Sequence, residues 1–271
     1  MAITQKTLNI NCDMGEGYGR WSAGGNDEEM MKYVPTANLA CGYHASDPHT
    51  MHKTVNLAGK AGIEIGAHVS VPDIIGFGRR RFMVKPEELY DYVIAQIGTL
   101  WGFVKAEGLQ LAHVKPHGIL YTMVGESAEY ASAVFQAVRD IEPSLIVIAG
   151  GPVVNEVARK YKVRVVPEGY CDINYHPNGF PVCPSVEKEY WETEEVANRA
   201  IRLVIKGTMN AIDGSTVRIN TPTMCIHGDV TNAVEIIVLV RKLLEENNVK
   251  IIKLSEIDYS REYTGAVSIY S

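Results

Sequence analysis

Positive charge and long apolar runs are both scarce in this sequence. The chain has 26 lysines and arginines against 32 aspartates and glutamates, so its net charge is −6 and its isoelectric point is about 5.8. A nucleic-acid or anionic-membrane surface needs a clustered basic face, and the only compact basic run lies at residues 79–81. No uncharged run approaches the roughly 20 residues that span a bilayer, and the amino terminus lacks the apolar stretch of a signal peptide. We therefore expect no nucleic-acid partner, no membrane partner and a cytoplasmic location.

The cysteines do not form the pattern of a disulfide framework or a structural zinc site. There are five of them, an odd number, and no two have CxxC spacing. Cys12, Cys41 and Cys225 lie in apolar strand-like runs, where a cysteine usually serves as a small buried hydrophobic residue. Reduced thiols agree with the expected cytoplasmic location.

Several common catalytic and nucleotide-binding motifs are also missing. The sequence has no GxxxxGK[ST] segment and no GxSxG elbow, and the glycines at 15, 17 and 19 have the wrong spacing for a dinucleotide fingerprint. It contains no linker, low-complexity tract or internal repeat. We therefore interpret residues 1–271 as a single domain.

Short apolar runs alternate with helical patterns along the whole chain. The runs lie at about residues 7–11, 36–41, 63–68, 110–115, 145–149, 163–167 and 223–227. Between them, residues 86–107 carry apolar positions three to four apart, and Asp47, Ser127 and Thr231 are expected to cap helices. Such alternation implies a parallel sheet, and runs that are apolar throughout favour its closure into a barrel. The predicted fold is α/β, a seven-stranded parallel β/α barrel; an open doubly wound sheet is the alternative.

Polar side chains follow the first three runs at the points where the strands should end. Asp13 and Glu16 follow the first run among glycines, His44 follows the second, and His68 ends the third. The carboxyl ends of parallel strands meet at one rim of a barrel, where active sites collect. Carboxylates and imidazoles there suit metal coordination or proton transfer. We expect these four residues in one catalytic site, with Asp13, His44 and His68 as candidate ligands of a divalent metal; the alternative for Asp13 is a turn or helix-cap residue.

Cationic side chains follow the third and fourth runs. Lys115 and His117 flank Pro116, and both are candidate catalytic residues, because a lysine there suits a phosphate, a carboxylate or a developing oxyanion. Arg79 and Arg80 lie in a glycine-flanked loop after His68. They are candidates to clamp a phosphate or carboxylate, and the alternative is a solvated arginine run.

A further polar segment ends the last run. His227 and Asp229 are candidate substrate- or phosphate-binding residues, and Asp229 either orients His227 or caps the helix that follows. Residues 168–190 form the one irregular region, rich in proline, glycine, asparagine and tyrosine. Its length suits a lid or specificity loop, and it suits equally well a solvent-exposed loop with no role in binding.

At these same segments the chain resembles the LamB/YcsF family. The matching stretches are NCDMGEGYG at 11–19, ANLACGYHASDP at 37–48, GIEIGAHVSVPDIIGFGRRRF at 62–82, HVKPHGILY at 113–121 and CIHGD at 225–229. The resemblance implies a barrel of the glycoside hydrolase/deacetylase type with seven strands. It also implies ATP-dependent opening of a cyclic amide such as 5-oxoproline, with Mg²⁺ and ATP as cofactors. The chain would then act beside two partner subunits, B and C, of a 5-oxoprolinase-type complex.

One segment departs from the family pattern. Two positions that the family fills with arginine are Ile173 and Pro184 here, while Glu168 and Asp172 remain as candidate substrate- or phosphate-binding residues. Because 5-oxoproline carries a carboxylate that needs a cation, we hypothesise an uncharged lactam or amide as substrate. Arg79 or Lys115 could instead supply the missing charge.

Three functions therefore remain open. The first is an ATP-dependent lactam-opening subunit, and the second is a stand-alone metal-dependent amide hydrolase or deacetylase. The third is a non-catalytic lactam-binding subunit. Activity without ATP would favour the second, and partner activity that survives Asp13→Ala and His68→Ala would favour the third.

Overall fold

Parallel strands arranged side by side form the centre of the structure, a computed structural model that describes residues 6–21, 26–183 and 191–268. The strands are β1 (Lys6–Met14), β2 (Thr36–Ala40), β3 (Glu64–Val69), β4 (Leu111–Pro116), β5 (Ile146–Ile148), β6 (Arg164–Val166), β7 (Glu168–Tyr170), β8 (Thr208–Asn210), β9 (Thr216–Asn220), β10 (Thr223–Cys225), β11 (Val249–Ile251) and β12 (Gly265–Ser268). The helices are α1 (Asp27–Met30), α2 (Pro48–Ala61), α3 (Pro86–Ala106), α4 (Ile119–Glu126), α5 (Ala128–Ile141), α6 (Val154–Tyr161), α7 (Thr193–Ile201) and α8 (Ala233–Glu246).

The main sheet closes where β6 and β7 follow each other in the chain. Within the described residues its order is β6-β5-β4-β3-β2-β1-β10-β7, all parallel, with β11 paired to the start of β1. The two ends of this path, β6 and β7, are separated in sequence only by Pro167, whose ring nitrogen has no hydrogen to donate to a ladder. One segment therefore pairs with β5 through its first half and with β10 through its second. The barrel prediction is confirmed, and the structure has eight parallel strands where we expected seven because the sixth run is divided at Pro167.

The first strand separates the barrel interior from the helical layer. Leu8, Ile10 and Cys12 are buried in the apolar core that also contains residues of the surrounding helices. The alternating residues Asn9 and Asn11 are also fully buried, but their side chains bond to other polar groups. Because successive side chains of a strand point to opposite faces, one face of β1 packs on helices and the other forms a polar barrel interior.

The predicted helices are largely confirmed, and their capping residues explain where they begin. The helix expected at residues 86–107 is α3, and its five apolar positions are fully buried: Leu89, Val93, Ile97, Leu100 and Val104. Asp47 caps α2 by accepting hydrogen bonds from the backbone amides of His49 (2.9 Å) and Thr50 (3.3 Å). Ser127 caps α5 in the same way. The cap expected at Thr231 is wrong, because α8 begins one residue later, after Asn232.

Short elements outside the barrel were not predicted. They include α1, α4 and α6, and an antiparallel sheet of order β12-β9-β8. Strand β9 alternates exposed and buried residues, unlike the barrel strands β2, β5, β7 and β10, which are fully buried. In the described part of the chain, no helix is both long and apolar enough to cross a membrane.

Candidate active site

Four barrel strands bring their polar residues to one rim. In the strand register, Asp13 of β1 lies beside Asn38 of β2, and His68 of β3 lies beside Lys115 of β4. Asp13 Oδ1 accepts hydrogen bonds from Asn38 Nδ2 at 2.7 Å and Lys115 Nζ at 3.0 Å. Its other oxygen, Oδ2, lies 3.1 Å from His68 Nε2. The structure therefore brings His68 and Lys115, predicted at the ends of two other strands, into contact with the Asp13 carboxylate.

Lys115 lies inside the barrel between two carboxylates and is 2% exposed. Its ammonium group contacts Asp13 Oδ1, Glu168 Oε2 at 3.1 Å and Cys225 Sγ at 3.2 Å. Burial alone would lower the pKa of Lys115, but the charge of Asp13, followed by other neighbours that include Glu168, raises that pKa well above its usual value. A permanently charged lysine therefore neutralises part of the charge of Asp13 and Glu168.

A column of buried amides supports these charged groups from below. Asn38 Nδ2 donates to Asn11 Oδ1 at 2.8 Å, and Asn11 Nδ2 donates to Thr223 Oγ1 at 2.9 Å. His113, one pleat below Lys115, donates from Nε2 to Asn38 Oδ1 at 2.6 Å. Burial, with the charge of Lys115, lowers the pKa of His113 to about 3, so this ring is neutral. Since each bond fixes the next side chain, the column holds Asp13 in a defined orientation.

Three imidazoles and a carboxylate form a second cluster directly above Asp13. His117 Nδ1 lies 3.0 Å from His68 Nε2 and 3.5 Å from Glu16 Oε1. His44 stacks on the His117 ring at 3.7 Å between centroids, and its Nε2 lies 3.1 Å from Glu16 Oε1. Ligand atoms of these four buried residues all lie within 4.8 Å of one another. The cluster can therefore bind a divalent metal.

The hydrogen bonds of the two central rings support this interpretation. His68 Nδ1 donates to the backbone carbonyl of Lys115 (3.0 Å), and His117 Nε2 donates to that of Phe77 (2.8 Å). When each ring carries only this one N–H, His68 Nε2 and His117 Nδ1 face each other with lone pairs. Lone pairs 3.0 Å apart beside the carboxylates of Asp13 and Glu16 require a shared proton or a cation. Metal-bound histidines also commonly give their second nitrogen to a backbone carbonyl.

Burial keeps the His44 and His117 rings neutral. Desolvation, followed by the charge of His68, lowers the pKa of His44 well below its usual value. Desolvation, followed by the charges of His44 and His68, does the same to the pKa of His117. Neutral imidazole is the form that binds a metal ion. The buried His44 Nδ1 also finds no hydrogen-bond partner among the described residues.

The candidate metal ligands differ in part from those expected. Asp13, His44 and His68 do lie together, as predicted, but the compact ligand group is Glu16, His44, His68 and His117. Asp13 belongs to a separate group of possible ligands with Cys225 and His227. Its Oδ2 contacts His68 of the histidine cluster. Glu16 and His117 were expected as catalytic residues and not as ligands.

Asp172, and not Asp229, orients His227. His227 donates from Nδ1 to Asp172 Oδ2 at 2.9 Å, and its backbone amide donates to the same oxygen at 2.8 Å. The opposite nitrogen, Nε2, lies 3.7 Å from Asp13 Oδ2. Asp229 lies 3.6 Å from Arg79 Nη2. Among the described contacts, His227 bonds to Asp172 and α8 begins after Asn232, so they show neither the orienting role nor the capping role expected for Asp229.

A small cavity lies above Asp13. It adjoins the charged groups around Lys115 and the cluster of three imidazoles. Its volume is about 50 Å³. It is lined by side chains from both clusters and from the rim loops: Asp13, His68, Arg79, Lys115, His117, Tyr121, Tyr170, Ile173 and His227. Of the two predicted arginines, Arg79 lines this cavity, whereas Arg80 is largely exposed and pairs with Asp73.

The structure describes one of the two positions that depart from the family pattern. Ile173 is buried and lines the cavity, so an apolar side chain stands at the place expected for a cation. Pro184 lies outside the described residues. Among the described residues, Arg79 therefore supplies the guanidinium of the cavity lining.

Besides the asparagines of the column, sequence reasoning missed Tyr121, Tyr170 and the polar contact of Cys225. Tyr170 Oη donates to Glu168 Oε1 at 2.5 Å, and Tyr121 packs edge to face on the Tyr170 ring. Cys225 is buried as expected, but its sulfur also contacts Lys115. Tyr170 was detectable, because it lies two residues after Glu168 on the same strand and therefore on the same face.

Comparisons with known proteins show the family of this chain. The model of the LamB/YcsF family matches residues 8–259. The chain belongs to this family. It is 44% identical over 252 residues to a protein of Pyrococcus furiosus named as the A subunit of 5-oxoprolinase, covering 92% of this chain and 98% of that one. The family assignment made from the sequence motifs is confirmed.

Solved structures show how this LamB/YcsF chain relates to other barrels. A lactam utilization protein from Thermus thermophilus has a TM-score of 0.81 at 40% identity, covering 92% of this chain and 100% of that one. The catalytic domain of a peptidoglycan N-acetylglucosamine deacetylase from Eubacterium rectale has a TM-score of 0.50 at 13% identity, covering 98% and 94%. The second likeness concerns the fold alone and agrees with a barrel of the deacetylase type.

Proposed function

We propose that this protein opens a cyclic amide by hydrolysis, as the A subunit of an ATP-dependent enzyme with partner subunits B and C. The observation that carries the proposal is the buried polar centre around Asp13, in a chain that is 44% identical to a protein named for this role in 5-oxoprolinase. The reaction adds water to the amide carbonyl carbon and breaks the C–N bond. The two hydrogens of water end on the new carboxyl and amino groups.

Asp13 is the proposed general base of this reaction. Burial would raise its pKa, but the charges of His68 and Lys115 hold that pKa well below the usual range, so the group is a carboxylate. Lys115 fixes Oδ1, which leaves Oδ2 facing the cavity beside His68 and His227. The cavity of about 50 Å³ has room for the reacting group and one water, since liquid water occupies about 30 Å³ per molecule.

Lys115 acts on the reaction through Asp13 and not through the substrate. Its ammonium group is already bonded to Asp13, Glu168 and Asn11 inside the barrel. Arg79 lines the cavity and is the better candidate for an anionic group of the substrate or of ATP. A guanidinium there suits a carboxylate or a phosphate.

ATP gives this reaction a physical rationale. An unstrained five-membered lactam opens slowly. Transfer of the γ-phosphoryl group of ATP to its amide oxygen releases ADP and activates the carbonyl carbon for attack by water. The C–N bond then breaks, the nitrogen leaves as the amine, and a second water releases phosphate from the acyl phosphate. The sequence has no GxxxxGK[ST] segment, so we assign nucleotide binding, with Mg²⁺, to the assembled subunits. The carboxylates at the rim suit Mg²⁺ if the nucleotide reaches this chain.

A divalent metal fits the second cluster. Glu16, His44, His68 and His117 would hold it, because their ligand atoms lie within 4.8 Å of one another and the other nitrogens of His68 and His117 are bonded to carbonyls. Carboxylates also outnumber fixed cations around the cavity: Asp13, Glu16, Glu168 and Asp172 against Lys115 and Arg79. A bound metal would polarise a carbonyl oxygen or lower the pKa of a water molecule.

The test is ring-opened product measured by mass spectrometry. 5-Oxoproline and uncharged lactams are incubated with the chain, with and without ATP–Mg²⁺ and the B and C subunits. We expect product only in the complete mixture, and none with Asp13→Asn. Product in the complete mixture that is unaffected by Asp13→Asn would overturn the proposal.

A second function is favoured by one observation, the facing lone pairs of His68 and His117. These suit a stand-alone metal-dependent amide hydrolase. Product formed by the chain alone, with an added divalent metal and no ATP, would select it over the first proposal.

A further inference from the structure

A second and larger cavity adjoins the candidate active site. Its volume is about 510 Å³, and it lies between the β5–α6 turn, residues 178–181 and strand β12. We call it the side chamber. It shares Tyr121, Tyr170 and Pro181 with the small cavity above Asp13. The two tyrosines therefore form the partition between the two spaces.

The walls of the side chamber depend on close approaches of backbone at glycines. A Cβ atom at Gly179 would lie 2.6 Å from the backbone oxygen of Ala266, which is closer than real Cβ contacts allow. A Cβ atom at Gly150 would lie 3.0 Å from Tyr121 Oη. These glycines let the loops pack directly on β12 and on the partition. The chamber is thus a packed feature of the fold and not a gap between loose loops.

The chemistry of the side chamber excludes anionic ligands. Its walls are mainly aromatic rings, prolines and small apolar residues, including Tyr175, Phe180 and Val267. No lysine or arginine lines it in the described part of the chain. The one acidic side chain in its lining is Glu168. It already accepts a hydrogen bond from Tyr170 and forms an ion pair with Lys115. A carboxylate or phosphate placed there would lose its hydration without gaining a cation.

The size of the side chamber suits a ligand of drug-like dimensions. Pockets for such ligands measure about 300–1,000 Å³ and combine apolar walls with a few polar groups. Here the polar groups include the amide side chains of Asn155 and Asn178 and the hydroxyl groups of Thr264 and Tyr121. The small cavity, at about 50 Å³, holds a reacting group but not a whole substituted lactam. A substrate of that kind needs a second space beside Asp13.

We propose that the side chamber binds the uncharged, apolar part of an amide substrate whose reacting carbonyl enters the small cavity past Tyr121 and Tyr170. This inference rests on the proposed amide hydrolysis, and it specifies the substrate as a neutral lactam with an apolar substituent. It also gives a reason for the apolar Ile173 at the cavity, because such a substrate has no carboxylate to pair.

Isothermal titration calorimetry on the full chain tests the side chamber without ATP, partner subunits or turnover. The probes are 5-phenyl-2-pyrrolidinone, 2-pyrrolidinone and 5-oxoproline. Ala266→Phe and Asn155→Phe each place a ring in the chamber, and Asn155→Phe serves if Ala266→Phe does not fold. Val238→Phe is the matched control, because Val238 is exposed on α8 and lies outside the chamber lining.

We expect 5-phenyl-2-pyrrolidinone to bind the wild-type chain at least about tenfold more tightly than 2-pyrrolidinone or 5-oxoproline, because the chamber removes the apolar phenyl group from water. That advantage should disappear in both chamber variants and persist in Val238→Phe. Equal affinities for the phenyl and unsubstituted lactams, or an advantage that survives both chamber variants, would overturn the inference. Because no product is measured, a failed hydrolysis assay would contradict the proposed function while leaving the binding result intact.

Discussion

His68 Nε2 and His117 Nδ1 lie 3.0 Å apart, and each ring already donates its other nitrogen to a backbone carbonyl. Two acceptor atoms in this position repel each other unless something positive lies between them. The carboxylate oxygens of Asp13 and Glu16 beside them increase that requirement. This pair is therefore the place in the barrel rim where a cation is most favoured.

We expect the purified chain to bind one divalent metal ion, and His117→Gln to lose at least about tenfold in metal affinity. Even partners that only support a ligand are worth about 10–100-fold in affinity. Metal content by inductively coupled plasma mass spectrometry, with thermal melting before and after a chelator, checks this. Metal bound only to the folded chain should raise its melting temperature.

The matched control for this metal prediction is His52→Gln. His52 is a partly exposed histidine on α2 that bonds to Glu107, far from the cluster. It should bind metal like the wild-type chain. Full metal content in both His117→Gln and His52→Gln would mean that His117 is not a ligand. Absence of metal from both variants and from the wild-type chain would mean that a proton occupies the space between His68 and His117.

Asp13→Asn should lower kcat at least about 100-fold, which is the usual contribution of general acid–base catalysis. The amide keeps the shape of the side chain and can still accept the hydrogen bond from Asn38, but it cannot take a proton from water. Ring-opened product in the assembled enzyme is the measurement, and circular dichroism verifies the fold. Asp91→Asn, an exposed position on α3, should keep wild-type activity. Comparable rates for the two variants would remove Asp13 from the chemistry.

The barrel was predictable because its strands are buried on both faces. Runs such as residues 36–41 are apolar or β-branched for most of their length, which is typical of parallel strands covered by helices. The sixth run was read correctly as far as Pro167, but its continuation as β7 was not. Glu168, Gly169 and Tyr170 carry no apolar pattern, and they form a strand only because β10 offers its backbone as a partner.

Part of the site was predictable from strand ends alone. Asp13, His68 and Lys115 follow short apolar runs, and parallel strands carry such residues to one rim. Which atoms touch depends on pairings between residues distant in sequence, and no local pattern encodes them. Asp172 and His227 are an example, since 55 residues separate them and the nearer Asp229 was the natural guess.

Arg79→Ala should raise KM for an anionic substrate at least about tenfold and leave KM for an uncharged lactam nearly unchanged. Hydrogen bonds to charged groups contribute about 1.5–3 kcal/mol, and Arg79 is the described arginine that lines the cavity. Steady-state kinetics with 5-oxoproline and 2-pyrrolidinone measure the difference. Arg81→Ala is the control, because Arg81 is exposed and pairs with Glu126. A similar rise in KM for both substrates would assign Arg79 a structural role.

His113 should make the fold sensitive to acid. Its folded-state pKa is lowered to about 3, chiefly by burial, while an unfolded histidine titrates near pH 6.5. Between about pH 3 and pH 6.5 the unfolded chain binds one more proton than the folded chain, so the free energy of unfolding falls as pH decreases. The loss is about 1.4 kcal/mol per pH unit for one proton, or about 2 kcal/mol between pH 6.5 and pH 5.

His113→Gln removes this proton and keeps an amide N–H that can donate to Asn38 Oδ1. Urea unfolding at pH 7 and pH 5 should therefore show a smaller loss of stability for the variant than for the wild-type chain, by about 2 kcal/mol. His52→Gln should follow the wild-type pH dependence, since that ring is partly exposed. Parallel pH profiles for His113→Gln and the wild-type chain would mean that the buried ring takes up a proton without unfolding. The neutral state assigned to His113, at the lower end of the column of buried amides, would then be wrong.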